Sequence, residues 1–317
     1  LKAKIQDFTA HSPQAKLHVT GHSLATMISA QSIAKLYQDD PKAFDKIGEV
    51  QLFDGPDVVK SLKKMGLSDQ DIQKIGEKVT YYVNPFDIVS MLNRTGPLDK
   101  QFGKVNIIVP LHFTTTLDDP ISSHDFGEFQ MNAAGQIRVA SATYHPEFIT
   151  AGKKLAHLVD EKVAQLKVLG LSDTVIMNLL RGDYVERGTM GYAIYRDFQQ
   201  QYRQIIADAK KEALAWNKTA IPDYQQRIRA ASGDQKISLR MELLDTVAQD
   251  FGLRAEELTV ATKTAIETTK ANILKGLGDS RLAMCQVVQY LDSWELSRFL
   301  LTLELSDFWD EGIEEAD

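Results

Sequence analysis

Gly21-His22-Ser23-Leu24-Ala25 is the stretch of this chain whose residue types and spacing point most directly to chemistry. A β-prone step over 17–20 precedes it, and Leu24, Met27, Ile28, Ile33, Leu36 and Tyr37 follow at helical spacing up to Pro41. Strand, tight turn and helix in that order turn a Gly-x-Ser-x-small pentapeptide into an expected nucleophile elbow, with Ser23 lifted above the end of the sheet. The small residues two before and two after the serine are a steric need, because so tight a turn leaves no room for bulk there. The amide of Leu24, at the start of the helix, would then donate one hydrogen bond to a tetrahedral oxyanion.

A serine hydroxyl is a weak nucleophile until a base takes its proton, and the base works best when a third group orients it. Asp87, just past a strand end, suits the role of acid; it would also suit the role of a loop aspartate capping the next helix. Asp54 lies after another strand and is the fallback. Three histidines follow Asp87 in this part of the chain. His124 is the choice, because Ser122-Ser123-His124-Asp125-Phe126-Gly127 reads as a turn-rich loop; His112, after Pro110, and His145, in Tyr144-His145-Pro146, are the alternatives. The order Ser, Asp, His is that of an α/β-hydrolase. His22, next to the serine, is expected to fix the elbow, and His157 falls in a helical stretch with a structural role. This chemistry calls for no cofactor and no metal, and the single cysteine, Cys285, rules out both an internal disulfide and a multi-cysteine zinc site.

The elements that must position these groups can be read from periodicity and breakers. A helix over 1–8 leads into the strand at 17–20, and further strands are expected over 49–53, 79–83 and 104–109, ending at Asp54-Gly55-Pro56, Asn84-Pro85 and Pro110. Helical material separates them, with Ser68-Asp69 as an N-cap. Strands alternating with helices imply a mainly parallel sheet. After residue 141 the texture changes, and helices are expected over 147–169, 174–181, 190–217, 222–231, 239–273 and 282–303. The expected organisation is a catalytic part over 1–150 and a helical part over 151–317.

Leu17-His18-Val19-Thr20-Gly21-His22-Ser23-Leu24-Ala25 resembles the elbow of class 3 lipases and their bacterial relatives, where Thr-Gly-His-Ser-Leu-Gly-Gly is usual. Ala25-Thr26 stand where the family prefers two glycines. Gln51 to Pro56 sits where those lipases carry the strand and Pro loop after the elbow, and Val83-Asn84-Pro85-Phe86-Asp87-Ile88-Val89 resembles their acid loop. Residues 122–127 resemble the histidine loop of the bacterial relatives. The resemblance implies the C-terminal part of an α/β-hydrolase sheet followed by an all-α domain, a serine ester hydrolase with the triad Ser23, Asp87 and His124, the Leu24 amide in the oxyanion hole, and lipid acyl esters as substrates. It also implies that the first strands and the second oxyanion donor belong to sequence ahead of the elbow. The rival reading is an inactive hydrolase remnant whose helices serve secretion or protein interaction.

In the helical part, Ile237, Leu239, Leu244, Val247, Phe251, Leu258, Ala261 and Ala265 form a nearly heptad-like stripe. It resembles the WXG-type and LXG-type helical proteins exported by the type VII secretion system of Gram-positive bacteria. That resemblance implies a secreted effector whose partners are small helical proteins packing along the stripe. Residues 301–317 hold seven acids and no bases around Phe308-Trp309, the pattern of a solvated end. A net charge of -7, with no dense Lys/Arg cluster to offset it, argues against nucleic acid as a partner. No apolar run approaches the length of a transmembrane helix.

Overall fold

The computed structural model describes residues 2–12, 14–110, 113, 122–129, 131, 135–180 and 187–255. His112, Cys285, the stripe beyond residue 255 and the acidic run at 301–317 lie outside them.

The architecture is a small parallel sheet with helices, followed by helical structure. In chain order the elements are α1 (Lys2–His11), β1 (Leu17–His22), α2 (Leu24–Asp39), α3 (Pro41–Phe44), β2 (Ile47–Phe53), α4 (Val59–Lys64), α5 (Asp69–Gly76), β3 (Val79–Val83), β4 (Lys104–Ile107), α6 (Pro146–Val168), α7 (Asp173–Leu180), α8 (Met190–Ala230) and α9 (Gly233–Ala255). The chain divides into two compact units, Leu1–Gln130 with Ile137–Ala209, and Met131–Gln136 with Lys210–Asp317. The change of texture after residue 141 therefore marks the entry into α6, and the first unit runs on to Ala209.

In the first unit the four strands lie in the order β1-β2-β3-β4, all parallel. Each crossover returns the chain to the same end of the sheet, so the residues that follow β1, β2 and β3 emerge side by side. Ile47, Val50 and Leu52 of β2 and Val79, Tyr81 and Val83 of β3 are buried, and α2 buries Ala30, Ile33, Ala34 and Leu36. These branched and aromatic runs suit strands covered by helices. Ser68 is the N-cap of α5, as the Ser68-Asp69 pair predicts, and Asp71 adds the reciprocal bond of a capping box.

The first helices after residue 141 belong to this unit. Phe148 of α6 packs with Phe86 and Phe113, at ring separations of 6.1 and 5.5 Å. Arg94 donates to the Ala156 carbonyl at 2.6 Å and pairs with Asp160 at 2.5 Å. Lys162 bonds Asp197 of α8 at 2.6 Å, and the Tyr202 hydroxyl of α8 donates to the Phe86 carbonyl. The segment carrying Asp87 is thus held by side chains from α6 and α8.

The second unit contains the later part of α8 and α9. Tyr224 and Ile228 pack with Leu239 and Leu243, flanked by Trp216, Ala220, Ile221 and Ala231. The expected break between 217 and 222 is absent: α8 continues through Pro222. Proline removes one N–H but leaves the remaining helical bonds, and packing on both sides of it outweighs that local loss. Ile237, expected in the apolar stripe, is exposed, whereas Leu239 is buried.

Gly55 interlocks with α2. A Cβ placed there would come within 1.9 Å of Thr26 Oγ1, and Thr26 itself is fully buried. Thr26 thus occupies the space that Gly55 leaves. Gly55→Ala is expected to destabilise the fold by about 1–3 kcal/mol, the usual range for overpacking. Urea unfolding would check this, and an unchanged midpoint would refute the interlock.

Candidate active site

Ser23 sits between β1 and α2 at φ 57 and ψ -128, a backbone conformation that side chains other than glycine adopt rarely. The surrounding bonds hold it there. Its N–H donates to the Phe53 carbonyl at 3.0 Å, and its own carbonyl accepts from the Thr26 N–H at 3.1 Å and the Thr26 hydroxyl at 2.7 Å. Gly21 is required because a Cβ there would lie 2.6 Å from the Ala25 carbonyl oxygen. Leu24 is the first residue of α2, so its N–H is among those that a helix start leaves without an intrahelical partner.

Asp87 follows β3 and is fully buried. Its Oδ1 accepts from the Val89 N–H at 3.0 Å, and its Oδ2 accepts from the Ser90 N–H at 2.9 Å and the Ser90 hydroxyl at 2.6 Å. The aspartate therefore accepts from the first two N–H groups of the short 3-10 turn Val89–Met91, whose N-cap position is Ile88, and its carboxylate is fixed in the act.

His124 ends the 3-10 turn Ser122–His124. Its Nε2 lies 2.8 Å from Ser23 Oγ, and its Nδ1 lies 3.2 Å from Asp87 Oδ1. The imidazole side chain is 18% exposed and the Asp87 carboxylate 0%, so the line from serine to acid runs from a half-open surface into the interior. Ser23, His124 and Asp87 are thus brought together from segments 101 and 37 positions apart in sequence, although no local pattern links them.

His22 steadies this line from the other side. Its Nε2 lies 2.9 Å from the His124 carbonyl oxygen, and because a carbonyl only accepts, Nε2 carries the hydrogen. The two rings stand 4.8 Å apart. Burial, and then the charge His124 would carry, hold the His22 imidazole below the usual histidine range, so it is neutral at pH 7. Phe126 meets Phe53 and His22 edge-on at 5.0 and 6.0 Å and closes the turn that bears His124. Removing the carbonyl anchor in His22→Ala is expected to lower kcat/KM on an ester by about 10- to 100-fold through kcat, as a small misplacement of a base does. Steady-state kinetics would check it; a change confined to KM would contradict the positioning role.

His145, the second alternative base, is buried, with Nδ1 2.5 Å from Glu147 Oε1 and 0% side-chain exposure. It forms the N-terminal boundary of α6 in a left-handed conformation, with φ 51. His157 is exposed on α6. Asp54, the fallback acid, is fully buried beside Asp87 and bonds Ser90 and the Asn84 N–H. Atoms of His22, Asp54 and His124 lie within 4.8 Å of one another, a spacing compatible with a metal ion. The Nε2 atoms of the two histidines face the His124 carbonyl oxygen and Ser23 Oγ.

Two parts of the site escaped sequence reasoning. Ser90 touches both carboxylates, and Tyr202 ties down Phe86, the residue before Asp87. The spacing Asp87-x-x-Ser90 was a usable signal, since a short acid three residues ahead of a hydroxyl is a capping pattern. The contact with Tyr202 spans 116 positions and has no local signature.

Protein-family models, curated proteins and solved structures were all compared with the chain, and none matches it.

Proposed function

We propose that this chain carries the C-terminal part of a serine α/β-hydrolase fold and hydrolyses acyl esters, with Ser23 as nucleophile, His124 as base and Asp87 as orienting acid. The observation that carries the reading is the continuous approach of Ser23 Oγ, His124 Nε2, His124 Nδ1 and Asp87 Oδ1, at 2.8 and 3.2 Å, from a serine at positive φ. Support also comes from the strand order: Ser23 and Asp87 follow parallel strands of one sheet, and the segment of His124 comes after the last of them.

In this mechanism Ser23 Oγ attacks the ester carbonyl while its proton passes to His124 Nε2. The imidazolium that results is held by Asp87 through Nδ1. The Leu24 N–H donates to the oxyanion of the tetrahedral intermediate. His124 then gives its proton to the leaving alcohol, and water, deprotonated by the same nitrogen, releases the acyl group. Lipid acyl esters are the substrate class supplied by the resemblance to class 3 lipases. No helix among the described residues is long and apolar enough to cross a membrane.

The test is covalent labelling by a fluorophosphonate, with hydrolysis of a phospholipid and of a short p-nitrophenyl ester beside it. Labelling at Ser23 that vanishes in Ser23→Ala is expected, with phospholipid the better substrate. Labelling that survives in Ser23→Ala would sink the mechanism. An intact, folded chain that is never labelled would favour the inactive-remnant reading.

A further inference from the structure

Asp54 is the buried group that the serine chemistry leaves unused. It follows β2 as Ser23 follows β1 and Asp87 follows β3, and it too takes a positive φ, 43. Two fully buried carboxylates therefore stand on neighbouring strand ends. Ser90 lies between them, its Oγ 2.6 Å from Asp87 Oδ2 and 3.2 Å from Asp54 Oδ1. One hydroxyl supplies one hydrogen, and the shorter contact takes it.

The remaining donors are divided unequally. Asp87 accepts from two backbone N–H groups and the Ser90 hydroxyl, and His124 Nδ1 lies 3.2 Å from its Oδ1. Asp54 accepts one hydrogen bond on Oδ1, from the Asn84 N–H at 2.7 Å, and among the described residues its buried Oδ2 has no partner. A second buried anion so poorly bonded would be uncompensated. A proton shared with Asp54 Oδ1 instead turns the 3.2 Å contact with Ser90 Oγ into a hydrogen bond.

We propose that Asp54 is a proton-bearing positioning residue, joined to Asp87 through Ser90, so that a single negative charge stands behind His124. The Asp54 hydroxyl donates to Ser90 Oγ, the Ser90 hydroxyl donates to Asp87, and His124 Nδ1–H faces the other Asp87 oxygen. Burial, and then the charge of Asp87, push Asp54 well above the usual carboxylate range, with buried Glu128 adding in the same direction. The other titratable groups around it are His22 and His124, with atoms within 4.8 Å, and Tyr81 and Asp57 near the same strand ends. The catalytic meaning rests on the proposed esterase reading. Two charges behind His124 would keep its imidazole protonated to higher pH and remove the base, whereas one charge orients it and leaves it able to accept a proton.

Carbon-13 NMR of aspartate carboxyls in the whole chain tests the protonation directly and needs no turnover. One carboxyl resonance, absent in Asp54→Asn, is expected to stay protonated at neutral pH; a Asp54 resonance that titrates with the ordinary carboxylates would overturn the proposal. Should Asp54→Asn fail to fold, the resonance is assigned in the parent, and Ser90→Ala, which cuts the link, is expected to move its titration; no movement would overturn the link. Where the chain hydrolyses an ester, Asp54→Asn matches the neutral acid in charge, but no one atom of its amide can both accept from the Asn84 N–H and donate to Ser90 Oγ, so kcat is expected to fall with KM unchanged. The acid limb of its pH profile should stay where it is in the parent. A limb displaced to lower pH by about one unit would show that Asp54 had been the charged partner. Failure of the esterase reading alone would leave the carboxyl resonance protonated.

Discussion

His124→Ala is expected to lower kcat/KM for ester hydrolysis by about 10⁴- to 10⁶-fold, as much as Ser23→Ala does, and the double variant is expected to be no worse than either. The reason lies in the 2.8 Å contact between Nε2 and Ser23 Oγ. Without the imidazole the hydroxyl keeps its proton, and without the hydroxyl the imidazole has nothing to activate, so each change removes the same step. A double variant that loses the product of the two single effects would mean that the two groups act separately. The control is His145→Ala. His145 is sealed in a buried pair with Glu147, and burial holds its imidazole below the usual histidine range. Its removal should show in thermal unfolding while Ser23 labelling in the folded fraction persists.

Asp87→Asn is expected to cost about 10⁴-fold in kcat, with the fold retained. Asparagine keeps the size of the side chain, and its one oxygen can take the place of Oδ2, which accepts from the Ser90 N–H and hydroxyl, at the cost of the Val89 N–H bond to Oδ1. Its amide group, however, offers hydrogens where His124 Nδ1 needs an acceptor, so the imidazole is turned to the tautomer whose Nε2 carries a hydrogen and cannot receive another from Ser23. Added formate or acetate would not reach a group that is 0% exposed, so little chemical rescue is expected. Circular dichroism and the single-turnover rate check the two halves of this statement; full activity in Asp87→Asn would transfer the orienting role to Asp54.

Much of the sheet was legible because its signals are local. The strand over 79–83 was placed to the residue, and those over 17–20, 49–53 and 104–109 to within two residues, by β-branched runs that stop at Gly, Asn-Pro or Pro. The elbow was legible because steric need writes itself into composition at Gly21 and Ala25. The choice of His124 over His145 rested on loop character, and in the structure it is His124 that meets Ser23 and Asp87. What stayed hidden is long-range or compensatory. Thr26 is accommodated only because Gly55 stands opposite, and α8 runs through Pro222 because its sides are packed. Ser90 was passed over because a serine in a loop is unremarkable until two carboxylates are known to flank it.

The tether from Tyr202 to Phe86 has a kinetic consequence. Local contacts form early in folding, whereas those between distant parts of a chain must first overcome the entropy of closing the intervening loop. The loop carrying Asp87 is held by a residue 116 positions further along, and Ser23 meets His124 across 101. Helices and strands can therefore be complete while the serine is still inert. On the proposed reading, reactivity at Ser23 is expected to appear late in refolding, once α8 has reached the loop of Asp87.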